Sequence, residues 1–342
     1  MNKTKVAIIG CGKQAPKHIS GLEKIPGVEI LLADKDVSLA KKLGEIHGLP
    51  WVEKLEDIFS DESIAAVDIC TPTTSHVQLI RTAIEAGKDF FCEKPLTDNL
   101  DEANEVTHML EKSNRIGMVG YIYRFSPIFE HGHSLLTGGV KDDESVVLGK
   151  ITTALFRLGG RGSHQLWKHR CKHGGGAINE MLVHMVDLAI WYFGPVGEVR
   201  VLAHDLLRPQ REIQGVIHDV DAEDYVIVRL TMENGVDVLC LADMVTPAFT
   251  QFIEVQGERG TFFGSIQPQM PSFLYLEQDS LGFKKGRNEL NFYNCNFFEA
   301  QMSDFIKAIR NAEQPSRSTI SDSVMLMEAM AKIKKEIGLG QY

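Results

Sequence analysis

The sequence predicts an α/β domain on a doubly wound parallel sheet, followed by an α+β domain with a largely antiparallel open sheet. Two observations carry this. Through residue 124, short apolar runs rich in Val and Ile alternate with segments of helical periodicity, the pattern of parallel strands joined by helices. After Arg124, strands follow one another without intervening helices, as in an antiparallel sheet.

Taken in order, Lys5 to Ile9, Val28 to Ala33, Ala65 to Thr71, Asp89 to Cys92 and Ile116 to Tyr121 read as strands buried on both faces, being short and apolar throughout. Between them, Val37 to His47, Ser75 to Ala86 and Asp98 to Lys112 carry apolar residues at helical spacing, and Asp98 is placed to cap the last. A helix from Pro127 to Leu136 opens the second part. Strands such as Lys150 to Leu158, Glu198 to Asp205, Tyr225 to Met232 and Val236 to Ala242 follow, interrupted by an apolar helix from Gly176 to Phe193. Two helices, about Phe298 to Asn311 and Ile320 to Ile337, close the chain. The polar, turn-rich stretches LTGGVKDDESVVLGK and RPQREIQGVIHDVDAED read as exposed loops.

Composition narrows the function classes. A chain of 342 residues with 44% hydrophobic and 24% charged residues has room for two domains. Its net charge of -10 opposes nucleic acid and anionic membranes as partners and favours a small-molecule substrate. Six cysteines without a CxxC pair indicate neither a zinc ribbon nor a disulfide framework, so reduced cytoplasm is expected. No run approaches the ~18 apolar residues of a membrane span, and no export signal is expected.

The first chemical signal is VAIIGCGKQAPKH. Gly10 suits a tight turn after a strand, Gly12 lets the backbone approach a pyrophosphate, and Ala15 takes the third glycine position of GxGxxG, where close helix packing is the need. Pro16 suits the first turn of a helix whose N-terminus faces phosphates, making Gly10, Cys11, Gly12, Lys13, Gln14 and Ala15 candidate cofactor contacts. Cys11, near that N-terminus, is expected to have a depressed thiol pKa and to be sensitive to oxidation. Asp34 ends the second strand, where a carboxylate accepts from ribose hydroxyls. It repels a 2'-phosphate, so NAD is expected over NADP, with Lys35 as a partial offset.

Ligands of an open parallel sheet bind outside the carboxyl ends of its strands. DICTPTTSH brings Thr71, Pro72, Thr73 and His76 to that edge, and FFCEKP brings Glu93 and Lys94. A partly desolvated lysine beside a nicotinamide can trade a proton with an alcohol. In HGGGAINEMLVHMVDLAIWYFG, Glu180, His184 and Asp187 fall on one face of an otherwise apolar helix, with His184 suited to acid-base work near neutral pH. Glu180 and His184 are also metal-ligand types, but no further His or Cys cluster completes a site, so no metal is expected.

With these motifs in place, the chain resembles the glucose-fructose oxidoreductase, inositol dehydrogenase and rhizopine catabolism family, written Gfo/Idh/MocA, nearly end to end. The resemblance rests on the glycine turn followed by His18, on CTPTTSH, CEKPLT and VGYIYRFSP, and on the triple-glycine helix. It implies a Rossmann NAD-binding domain over residues 1–124. Residues 125–342 would form a substrate and oligomerisation domain, its last helix free to pack back on the first, in a homodimer or homotetramer. By similarity Lys94 is the catalytic lysine, His184 the other proton-transfer residue, and Glu180 stands where the family usually has aspartate. Thr73 replaces an asparagine common in the family.

The activity expected is reversible hydride transfer between NAD and a ring hydroxyl of a sugar, cyclitol or sugar derivative, phosphorylated and nucleotide-linked forms included. Substrate contacts are expected from GGRGSHQLWKHRCKHGGG, where Arg161, His164, Trp167 and Lys168 supply donors and an aromatic platform. Tyr123 and Arg124, at the domain junction, are placed to touch substrate and cofactor. Two alternatives stand beside this activity: glycoside cleavage with transient oxidation, and a non-catalytic dinucleotide sensor.

Overall fold

The computed structural model describes residues 3–97, 99–137, 147–162, 165–292 and 296–338. The chain gathers into two compact units, one of Met1–Phe125 with Asn294–Met327, the other of Ser126–Tyr293 with Glu328–Tyr342.

In the first unit, strand β1 (Thr4–Ile9) leads through a glycine turn into helix α1 (Ala15–Leu22), then β2 (Val28–Ala33), α2 (Val37–His47), α3 (Leu55–Ser60) and β3 (Ile64–Ile69). Helix α4 (His76–Glu85), β4 (Asp89–Cys92), α5 (Leu100–Lys112) and β5 (Gly117–Val119) follow. All pairings are parallel, in the order β2-β1-β3-β4-β5. Because β1 has β2 on one side and β3 on the other, the winding reverses there and opens a crevice at the carboxyl ends of β1 and β3. Val6, Ala7, Ile8, Val67, Ile69, Phe90 and Phe91 are fully buried, the signature of a sheet covered on both faces. Asp98, the expected cap of α5, lies outside the described residues; Asn99 caps the helix by accepting from the Glu102 N–H at 2.9 Å.

The second unit begins with α6 (Pro127–Thr137), β6 (Ile151–Gly159) and α7 (Val183–Phe193). Then come β7 (Val196–Asp205), β8 (Gln210–Ile213), β9 (Val216–Asp219), β10 (Tyr225–Met232), β11 (Asp237–Asp243), β12 (Thr250–Gly257), β13 (Gly260–Gly264), β14 (Ser272–Leu276) and β15 (Gly286–Leu290). Eight of these form one sheet in the order β15-β14-β13-β12-β6-β11-β10-β7, antiparallel except for β6 against β11. One face is buried, with Phe156 meeting Tyr192 and Phe193 of α7. The opposite face keeps Leu155, Ile227, Leu239, Leu241, Phe252, Phe263 and Phe273 half-buried.

Three expectations are corrected here. Residues 208–224, read as a loop, contain the β8–β9 hairpin, whose Gln214–Gly215 turn has positive φ at both positions, as a tight antiparallel connection requires. In the other expected loop, residues 138–146 lie outside the described residues, but Val147 and Leu148 are buried. The helix expected from Gly176 starts as a π-helical turn, Ile178–Leu182, before α7.

Helix α8 (Phe297–Asn311) belongs to the first unit, where Met302, Phe305 and Ile306 enter one core with Val6, Ile8, Ile19 and Phe91. It lies so close to α1 that a Cβ on Gly21 would stand 2.7 Å from the Phe298 carbonyl oxygen. The expected boundary at 124 therefore leaves out a returning segment. Helix α9 (Ile320–Glu336) has Tyr121 donating to Ser323 at 2.8 Å and Arg124 bound to Asp322 at 2.9 Å near its start.

Candidate functional site

At the end of β1, Gly10 takes φ +99° and passes so near the end of β3 that a Cβ would lie 2.8 Å from the Cys70 carbonyl. Gly12, two residues on, has nothing within 4 Å of its Cβ position and is exposed. The turn is thus tight beneath and open above. Asp34, half-buried at the end of β2, accepts from the Cys11 N–H at 2.7 Å and the Asp36 N–H at 2.8 Å. Ala15 is fully buried, Lys13 and Lys35 are exposed, and the Gln14 Oε1 is buried without a protein partner. The Cys11 expectation is overturned: burial, then the Asp34 charge, pushes the thiol up to about 12, so it is not a primed thiolate.

Along the same edge, Thr71 accepts from Ser75 Oγ at 2.7 Å, and Pro72 and Thr73 open a short 3₁₀ turn. His76 does not reach into the crevice. Its ring is buried, with Nε2 2.9 Å from the Thr71 carbonyl and Nδ1 3.0 Å from that of Pro95, tying the two edge loops together. Glu93 also turns inward: it is buried, and its Oε1 lies 2.8 Å from His18 Nε2. Lys94 stays half-buried at the edge, its peptide to Pro95 cis and its N–H donating to Glu93 Oε2 at 3.3 Å. Arg124, expected at the cofactor, is 1% exposed and held by Asp322 beneath, stacked over Tyr121. Tyr123 is half-buried, and burial raises its phenol.

In the second unit, the triple-glycine turn folds back on the short turn Leu166–His169: Gly176 N–H donates to the Lys168 carbonyl and Gly175 N–H to that of Arg170, both at 3.0 Å. Gly176, at φ +113°, leaves its Cβ position to the Glu223 carboxylate, 2.2 Å away. That carboxylate accepts from the Ile178 N–H at 3.0 Å while the Glu223 carbonyl accepts from Ala177 at 2.8 Å, so Glu223 sets the start of the helix. The fold-back brings Lys168 into an ion pair with Glu180. Lys168 also sits 5.1 Å over the Trp167 ring, which is 42% exposed. His184 is half-buried one turn beyond Glu180, and Asp187 is buried. Arg161 donates to the Pro247 carbonyl at 3.0 Å, and His164 lies outside the described residues.

The sequence reading passed over Asp68 and Glu223 as site residues. Asp68 had a signal: an ionised residue inside a strand buried on both faces requires a partner. Glu223 had none, because its role depends on the approach of a glycine 47 positions earlier.

The comparisons with known proteins agree along the chain. Residues 4–121 match the family model described as an oxidoreductase family with an NAD-binding Rossmann fold, and residues 144–263 match that family's C-terminal domain. The chain belongs to the Gfo/Idh/MocA family. It is 29% identical over 258 residues to the uncharacterized oxidoreductase YrbE of Bacillus subtilis (strain 168), covering 74% of this chain and 71% of that protein. It is 26% identical over 335 residues to the myo-inositol 2-dehydrogenase of Thermotoga maritima, covering 96% and 95%. A levoglucosan dehydrogenase solved with NADH and L-sorbose has the same fold, with a TM-score of 0.87 at 20% identity over 99% of this chain and 97% of that one.

This Gfo/Idh/MocA member is thus an oxidoreductase whose first unit is an NAD-binding Rossmann domain. Its residues fit the cofactor: the space over Gly12 admits a pyrophosphate against backbone, the Gln14 Oε1 lacks a protein partner, and a carboxylate ends β2. No helix among the described residues is long and apolar enough to cross a membrane.

Proposed function

We propose that this protein is an NAD-dependent dehydrogenase that interconverts a secondary ring hydroxyl and a ketone on a sugar or cyclitol. The observation that carries the reading is Lys94, fixed by a buried carboxylate at the same sheet edge as the open glycine turn. The myo-inositol 2-dehydrogenase, similar over nearly its whole length, indicates the substrate class. The reaction balances as carbinol plus NAD giving ketone, NADH and one proton.

NAD, when bound, takes up the hydride. Beyond Gly10 and Cys11, whose N–H groups go to the Ala33 carbonyl and to Asp34, the turn from Gly12 to Ala15 holds its pyrophosphate through backbone N–H groups, and Asp34 accepts from the adenine ribose. One base receives the single hydroxyl proton, either His184 or Lys94 in its neutral amine form. Glu180, oriented by Lys168, accepts from a substrate hydroxyl; the exposed Trp167 ring packs a sugar or cyclitol ring, and Arg161 donates to substrate oxygens. The first unit thus serves as the cofactor domain and the second as the substrate domain. The half-buried aromatic ladder Phe252–Phe263–Phe273, with ring centroids 5.3 and 5.4 Å apart, is the surface by which copies of the chain associate into a homo-oligomer.

The test is net NADH formation at 340 nm by the purified chain with NAD and a panel of free sugars, inositols, sugar phosphates and nucleotide sugars. One responding class supports the reading and names the substrate. Release of free sugar from a glycoside without net NADH would replace it with glycoside cleavage, and silence with intact NAD binding would leave a sensor.

A further inference from the structure

Beneath the Lys94 turn lies a buried charged cluster that the proposed reaction does not use directly. His18 of α1 is fully buried, its Nδ1 2.9 Å from Asp68 Oδ2 and its Nε2 2.8 Å from Glu93 Oε1. A neutral imidazole has one donor, so only a ring with hydrogens on both nitrogens donates to both carboxylates. Burial, the largest single influence, opposes that charged ring; the electrostatic pull and hydrogen bonds of Asp68 and Cys70 together outweigh it and raise His18 well above the ordinary histidine range.

The groups facing the ring are few. Strand β3 and its end bring Asp68 and Cys70, whose Sγ is 3.3 Å from Nδ1 and whose thiol is kept neutral by burial. The end of β4 brings Glu93, with Lys94 beyond it. Phe91 and Phe298 close the sides with ring centroids at 5.5 and 5.6 Å and no charge. Glu93 is the link outward: one oxygen meets His18, the other accepts the Lys94 N–H, and Gly120 backs the carboxyl so closely that a Cβ would lie 3.4 Å from it. Despite burial, the bond and charge of His18, followed by the charge of Lys94, hold Glu93 below the usual carboxylate range. Two carboxylates and one imidazolium leave one surplus negative charge, and the Lys94 charge acts on the outer carboxylate, Glu93.

We infer that His18 is a positioning residue: clamped between Asp68 and Glu93, it fixes the carboxylate that holds the Lys94 turn and balances the Lys94 charge. Its catalytic weight rests on the proposed role of Lys94, but the bridge itself can be read without turnover. His18 Nδ1, Asp68 and Cys70 Sγ are also metal-ligand types, with donor atoms within 4.8 Å of one another; the hydrogen bonds to the ring account for that grouping without an ion.

The test uses the full chain with ¹⁵N-labelled histidine, together with competitive acetylation of Lys94 by acetic anhydride, read by mass spectrometry from pH 6 to 10. Both His18 ring nitrogens should carry protons at pH 7, and Asp68→Asn should release one of them at that pH. Glu93→Gln should lower the pH of half-acetylation at Lys94 by about 1 unit, and His18→Gln should raise it, since the two remove opposite charges. A merely structural bridge would shift neither, or both alike. If His18→Gln does not fold, the Asp68→Asn spectra and the Glu93→Gln shift decide. An unprotonated ring nitrogen at pH 7, unmoved Lys94 reactivity in folded variants, or a stoichiometric metal that Cys70→Ala releases would overturn the inference. If the shifts occur while Lys94→Ala retains turnover, the bridge stands and the catalytic role of Lys94 falls.

Discussion

The turn at Gly10–Ala15 and the turn at Gly174–Gly176 are both glycine-rich entries to a helix, and each is held by a carboxylate that accepts a backbone N–H: Asp34 from Cys11, Glu223 from Ile178. They differ in what fills the space the missing side chains leave. In the first, Gly10 packs on Cys70 but Gly12 faces open space, room for a ligand. In the second, Gly174 has open space as Gly12 does, but Gly175 and Gly176, the two that enter the helix, are packed against the Lys168 backbone and the Glu223 carboxylate and so serve protein packing that aims Lys168 and Glu180. Glycine runs alike in sequence thus make a cradle in one unit and a hinge-like fold-back in the other.

The largest effect should separate chemistry from binding at the first turn's edge. Lys94→Ala should cut kcat by about 10²–10⁴-fold while the NAD Kd, by calorimetry, stays near the wild-type value; equal losses of both would make Lys94 a cofactor ligand only. Next comes the packing contrast. Gly176→Ala, with its Cβ driven into Glu223 and a left-handed φ, should cost about 3 kcal/mol in urea unfolding. Gly12→Ala should change stability by less than about 0.5 kcal/mol and weaken NAD instead. Reversed outcomes would exchange the roles assigned to the two turns.

A smaller effect distinguishes the clamps by pH. His18 is raised on folding, so its contribution is full below its unfolded value of 6.5 and is lost as pH rises through the folded one. Glu93 is lowered, so its contribution is present above 4.5 and lost as pH falls. Stability from this bridge should therefore peak between 4.5 and 6.5 and decline on both sides, a profile that Glu93→Gln should flatten. The smallest effect belongs to Glu223, whose carboxyl burial raises; that contribution is full in acid and fades as pH rises through the folded value. Glu223→Gln, which keeps the acceptor oxygen, should cost less than about 1 kcal/mol and less at pH 8 than at pH 5.

Much of the fold was legible in the residues themselves. The five strands of the first unit, the reach of Gly10 through Ala15, and Asp34 at the end of β2 follow from periodicity and turn chemistry, which act over a few neighbours. Lys94 at a strand end was legible for the same reason. The inward turn of Glu93, the burial of His76 and Arg124, and the neutral Cys11 thiol were not, because each depends on what packs against the residue from elsewhere in the chain.

By itself, the sequence determined the alternation that makes a parallel sheet, the glycine turn that opens its crevice, and the set of ionisable residues available to the site. Only the tertiary structure decided which of them point outward. Asp68 and Glu93 lie 50 and 75 positions from His18 along the chain, and Gly176 meets Glu223 from a distant stretch of sequence. The reason is physical: burial and charge pairing set the direction and protonation of an ionisable side chain, and both belong to the packed interior.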